Sequence, residues 1–116
     1  MAEKLGSEII RALFQVEGVV LGLVCTSQGR VVTSHMAEEF NRTSLSVQSS
    51  MIRNVAREVA DEVGLQPPDV TLIHCPGYYV AYVYLEEHEL IVLTIFLETL
   101  NLGTIFQTIN DVLVNQ

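Results

Sequence analysis

Val70–Leu97 reads VTLIHCPGYYVAYVYLEEHELIVLTIFL, and its reading decides the fold. Most of its residues are apolar or aromatic, with two interruptions. Pro76-Gly77 is a turn signal, because proline presets φ and glycine tolerates positive φ. Glu86-Glu87-His88 is the charged cluster and marks a second turn. Val70–Cys75, Tyr78–Leu85 and Glu89–Leu97 therefore read as a three-stranded meander. The last strand shows no alternation of apolar and polar residues, so it must be covered on both faces. The rest of the chain has to supply two layers of cover.

Those layers are legible on either side. Residues 2–15 fit an amphipathic helix, with Leu5, Ile9, Ala12 and Leu13 on one face and Ile10 and Phe14 broadening it. Val19–Thr26 (VVLGLVCT) is a strand apolar on both faces. Ser27-Gln28-Gly29 is a turn suited to a left-handed glycine. Arg30–Met36 returns as a more polar strand, nearer an edge. Ala37–Thr43 is polar and irregular, and its Asn41-Arg42-Thr43 is a glycosylation sequon only in a secreted context.

Ser44 or Thr43 is expected to cap the next helix, which runs to about Val63 and stops at Gly64. Helical spacing groups Leu45, Ile52, Val55, Ala56, Val59 and Val63 as its core stripe, with Ser46, Ser50, Arg53, Arg57 and Asp61 opposite. Val47 and Met51 form a second, narrower apolar patch. Such a patch is either ordinary surface or a partner surface. After the stiff Pro67-Pro68 connection and the meander, Asn101 is an N-cap. Leu102–Val114 follows, with Leu102, Ile105, Phe106, Ile109, Val112 and Leu113 apolar.

The expected fold is an α/β sandwich of order αββαβββα over residues 1–116, a single domain. A five-stranded antiparallel sheet carries helices on both faces. The two most apolar strands, Val19–Thr26 and Glu89–Leu97, belong side by side in the middle, with Arg30–Met36 and Val70–Cys75 at the edges. The long central helix takes one face and the terminal helices the other. The edge Val70–Cys75 has no charge, bulge signal or internal proline, and such an edge is normally covered or paired. Pairing it across a two-fold axis would satisfy it and would bring the central helices together. A homodimer is thus expected, its interface formed by Val70, Thr71, Leu72, Ile73, His74, Cys75, Val47 and Met51.

Composition narrows the function. All six Lys and Arg lie in residues 1–57, while residues 58–116 hold nine acids and no base, within a net charge of −8. An acidic surface repels phosphate backbones, so nucleic acid is not an expected partner; solubility alone also accounts for the charge. No apolar run reaches the roughly 20 residues that span a bilayer, and Glu3 and Lys4 open an amphipathic segment rather than a signal peptide. Cys25 and Cys75 read as reduced, buried residues, which points to the cytoplasm.

Catalytic chemistry finds no constellation. GxxxxGK[ST] and GxGxxG are missing. His35, His74 and His88 lie in different elements without metal-ligand spacing. Glu86, Glu87 and Glu89 resemble a solvated loop. Tyr78, Tyr79, Tyr82 and Tyr84 either pack or line a ligand pocket. No cofactor is expected.

Several stretches resemble the Roadblock family over nearly the whole chain. They are Val16-Glu17-Gly18-Val19, the hairpin LVCTSQGRVVTSHM (Leu23–Met36), EVADEVGL (Glu58–Leu65) and the last segment, Glu98–Leu113. Asn101-Leu102-Gly103, opening a final helix, is similar to bacterial and archaeal members of the MglB type. The resemblance implies a fold related to profilin and longin domains, with dimers joined sheet to sheet. It implies a regulator or scaffold of a small Ras-like GTPase. MglB-type members activate hydrolysis by rearranging the GTPase's own residues, so the resemblance argues against Arg53 or Arg57 as an arginine finger. A partner surface on the paired central helices would use Val47, Ser50, Met51, Asn54, Arg57 and Glu58. The other readings are a structural adaptor of a larger complex without a GTPase, and a small-molecule sensor with a tyrosine-lined pocket.

Overall fold

The computed structural model describes residues 2–36 and 39–116. In chain order the elements are α1 (Ala2–Leu13), β1 (Val19–Thr26), β2 (Val31–His35), α2 (Arg42–Glu62), β3 (Val70–Cys75), β4 (Tyr78–Leu85), β5 (Leu90–Leu97) and α3 (Leu102–Val114), with a 3-10 turn at Glu86–His88 before β5. All strand pairs are antiparallel, in the order β2-β1-β5-β4-β3. The expected order αββαβββα, the central pair and both edges are therefore as the sequence reading has them.

Strand β5 is buried on both faces, and this divides the core in two. On one face Val92, Phe96 and Leu90 meet Leu5, Ile9, Ile10 and Leu13 of α1 and Ile105 and Ile109 of α3. On the other, Ile91 and Leu93 meet Leu21, Leu23, Cys25, Tyr82 and Tyr84, with Leu45 and Ile52 of α2 above them. Each fully buried large side chain contributes roughly 1.5–3 kcal/mol of transfer free energy. The polar Thr94, also buried, donates Oγ1 to the Leu21 carbonyl at 3.1 Å and so leaves no unmet group.

Helix α2 crosses the sheet and touches all five strands. It begins earlier than expected: the cap is Asn41, whose Oδ1 accepts the Ser44 N–H at 2.9 Å, rather than Ser44 or Thr43. Of the expected irregular stretch 37–43, Ala37 and Glu38 lie outside the described residues. The helix ends with the Gly64 N–H on the Asp61 carbonyl and the Leu65 N–H on the Ala60 carbonyl, the two bonds of a Schellman cap.

Candidate functional site: the outer face of α2 and the β3 edge

The buried face of α2 differs from the one helical spacing predicts. Ser46, Ser49 and Ala60 are buried, with Leu45, Ile52 and Ala56 partly so. Val55, Val59 and Val63, expected in the core, are 57–63% exposed. Ser46 and Ser50, expected outside, are tied to the β1–β2 turn. Ser46 Oγ lies 2.7 Å from the Gly29 carbonyl, and Ser50 Oγ donates to the Ser27 carbonyl at 2.7 Å. The reason is steric and local. The turn at Gly29 comes so close to α2 that only small side chains fit between them, and their hydroxyls satisfy the turn's carbonyls.

What remains outside is one row at i, i+4 spacing: Val47, Met51, Val55, Val59 and Val63, all exposed. Such a row drifts by about 40° per step around a helix. Beside it Met51, Ile52, Val55, Ala56 and Thr71 line an apolar hollow of about 370 Å³ between α2 and β3. Strand β3 continues the surface, with Leu72, Ile73, His74 and Cys75 all exposed and, among the described residues, no strand on its outer edge. Cys75 is thus an exposed thiol, not a buried one, because an edge strand has cover on neither its rim nor its far end. Cys25 is buried as expected. Burial pushes its thiol up to about 11, which keeps it protonated at neutral pH.

The remaining residues expected at a partner surface flank the row. Asn54, Arg57 and Glu58 are exposed or partly so, while Ser50 is half-buried by its bond to the turn. Arg53 makes a two-pronged pair with Glu86, Nε–Oε1 at 2.9 Å and Nη2–Oε2 at 2.7 Å, and Arg57 Nη1 reaches the same carboxylate at 3.5 Å. The Arg53 hydrogen bond holds the Glu86 carboxyl below its ordinary range. Glu86, read as a member of a solvated loop, therefore ties the turn before β5 to α2.

On β3, His74 Nε2 lies 2.5 Å from Glu98 Oε2, and its ring stacks on Tyr79 at 4.8 Å. The four tyrosines do not converge. Tyr82 and Tyr84 lie in the core beneath α2, Tyr79 packs against Phe96 on the opposite face, and Tyr78 is exposed. Among the described residues no three His, Cys, Asp or Glu side chains are placed to hold a metal ion, and no helix is long and apolar enough to cross a membrane.

This arrangement of five strands with one crossing helix and two helices beneath is shared with solved structures. Myxococcus xanthus MglB superposes with a TM-score of 0.82 at 13% identity, over 94% of this chain and 81% of that one. A Roadblock/LC7 domain from Streptomyces avermitilis gives 0.80 at 8% identity, over 97% and 92%. The gliding protein MglB from Thermus thermophilus gives 0.77 at 13% identity, over 96% and 84%. The fold is the Roadblock/LC7 fold. No model of a known protein family matches the sequence, and no curated protein matches it. In this Roadblock fold, Met51 and Val55 bring the apolar α2 row to the hollow that it shares with Thr71 of β3.

Proposed function

We propose that the chain is a homodimeric regulator or scaffold of a small Ras-like GTPase in the cytoplasm, acting through protein contacts and without chemistry of its own. One observation carries the reading. The longest helix and its C-cap Val63 keep five large apolar side chains exposed, of which Met51 and Val55 border β3, whose outer edge is unpaired among the described residues, and proteins manage such surfaces by covering them. A second copy covers the β3 edge and the β3-ward part of the row. The paired helices then present Val47, Ser50, Met51, Asn54, Arg57 and Glu58 to the GTPase. Likeness of fold to two MglB structures, together with the sequence motifs, supports the choice of partner class. The pairing of Arg53 with Glu86 favours action by rearranging the partner's residues over donation of an arginine.

The test is a pull-down from source lysate with the tagged full chain, run with a GTP analogue and with GDP. A small GTPase in the eluate, lost with Met51→Glu or Arg57→Glu, is the expected result. Preference for the GTP form would mark an activator or effector. A GTPase retained equally by both variants would remove this surface assignment. A multiprotein complex without a GTPase would select the adaptor reading.

A further inference from the structure

Strand β3 can pair with its own copy in several registers, and the chain itself selects one. The inference rests on the dimer proposed above and specifies its geometry. Within the β3–β4 ladder the Tyr84 N–H donates to the Asp69 carbonyl, and the register runs without a break from Val70↔Val83 to Cys75↔Tyr78. In an antiparallel ladder, hydrogen-bonded pairs alternate with non-bonded ones. Asp69, Thr71, Ile73 and Cys75 therefore turn their backbone groups toward β4. Val70, Leu72 and His74 turn theirs to the open edge.

The next positions of that outward parity are Pro68 and Pro76. Neither has an N–H, so neither can donate to an added strand. They stand at equal distances from Leu72. An antiparallel two-fold pairing centred on Leu72 sets Val70 against His74 of the copy, Leu72 against Leu72, and His74 against Val70. Every N–H and C=O of Val70, Leu72 and His74 is then used, in about six hydrogen bonds, two for each facing pair. Centring on Thr71 or Ile73 instead sets a proline opposite an outward residue at each end. Centring between residues sets outward groups against inward ones.

We propose that the molecule's two-fold axis passes at Leu72, with Pro68 and Pro76 acting as stops that fix the register. The side chains fall accordingly. Thr71 lies under α2 beside Met51 and Val55, so the alternate residues Ile73 and Cys75 share the α2 side. Ile73 meets Thr71 of the copy there, beneath the two apolar helix rows. Each Cys75 lies across from Asp69 of the copy. The two Cys75 residues are then about 20 Å apart along the strands, six residues at strand rise, and no disulfide joins them.

The experiment uses the full chain with Cys75→Ser, into which Thr71→Cys, Leu72→Cys or Ile73→Cys is placed singly. Leu72 and Ile73 are exposed, whereas Thr71 is half-buried and its Oγ1 accepts the Tyr84 hydroxyl at 2.6 Å, so the fold of each variant is checked by circular dichroism. Mass in solution is measured first, and disulfide formation under mild oxidant second. Facing residues of a bonded pair have Cα atoms about 5.5 Å apart, within disulfide reach. Leu72→Cys is expected to cross-link at least about tenfold faster than its neighbours. Fastest cross-linking at Thr71→Cys or Ile73→Cys in a dimer overturns the register and leaves the dimer standing. A dimer that cross-links at none of the three also overturns the register, because the axis then lies elsewhere on β3 or on another surface. A monomer removes both proposals.

Discussion

Gly29 shows how one residue sets the distance between a helix and a sheet. Its φ of +89° suits glycine, and a Cβ there would meet the Ser46 carbonyl oxygen and Val47 Cα at 3.2 Å. Both are backbone atoms and cannot swing aside. Gly29→Ala should therefore destabilise the chain by about 1–3 kcal/mol, read as a lowered midpoint in urea unfolding. Gly22 works by close approach alone, since a Cβ would lie 2.8 Å from Ile10 Cδ1 and 3.2 Å from Phe14 Cε2. These are ends of side chains, so Gly22→Ala should cost less than Gly29→Ala in the same assay. The sequence announces Gly29 as a left-handed turn residue, yet it holds no sign of what the turn would touch. Asn41 is a similar case. Three cap-forming residues, Asn41, Thr43 and Ser44, stand within four positions, and local propensity alone does not choose between them. Asn41→Ala should lose about 1 kcal/mol through the unmet Ser44 N–H.

At the scale of elements, α2 is where sequence reading and structure part. Periodicity finds the helix and its end at Gly64, but it assigns apolar residues to the core. Here the face against the β1–β2 turn is built from Ser46 and Ser50, with Ser49 also buried, while Val55, Val59 and Val63 face outward. A pattern of hydrophobicity reports which side is to be kept from water, and it does not distinguish a core from an interface. The side of α2 toward the β5 turn is fixed by Glu86 and its two arginines. Because the folded-state carboxyl sits below its ordinary value of 4.5, the pair stabilises above that value, and the contribution is lost as pH falls through the lower folded value. Glu86→Gln should thus lower the melting temperature at pH 7 and make little difference once the medium is acidic enough to protonate the folded-state carboxyl. The pair is partly exposed, so its size should be no more than about 1 kcal/mol.

For the whole molecule, the sheet was readable because its strands differ in kind. Val19–Thr26 and Leu90–Leu97 lack alternation and take the centre, while Val31–His35 carries Thr33, Ser34 and His35 and takes an edge. Two antiparallel blocks and three helices then leave few ways to cover both faces. The candidate surface was legible in part. The bare β3 edge and the Val47–Met51 patch stand in the sequence, but the full length of the row appears only once the serines are seen to face inward. Charge placed on that row should act on association and leave the fold intact. Met51→Glu is expected to raise the dimer dissociation constant by at least about tenfold, roughly 1.4 kcal/mol, with an unchanged circular dichroism spectrum.

The most direct test of the homodimer is sedimentation equilibrium on the untagged chain across a wide range of concentration. The result expected is twice the 12.9 kDa chain mass for the parent and a shift toward the single-chain mass for Met51→Glu. A parent that stays at the single-chain mass throughout the range would contradict the account, because the α2 row and the β3 edge would then stand in water with nothing to cover them.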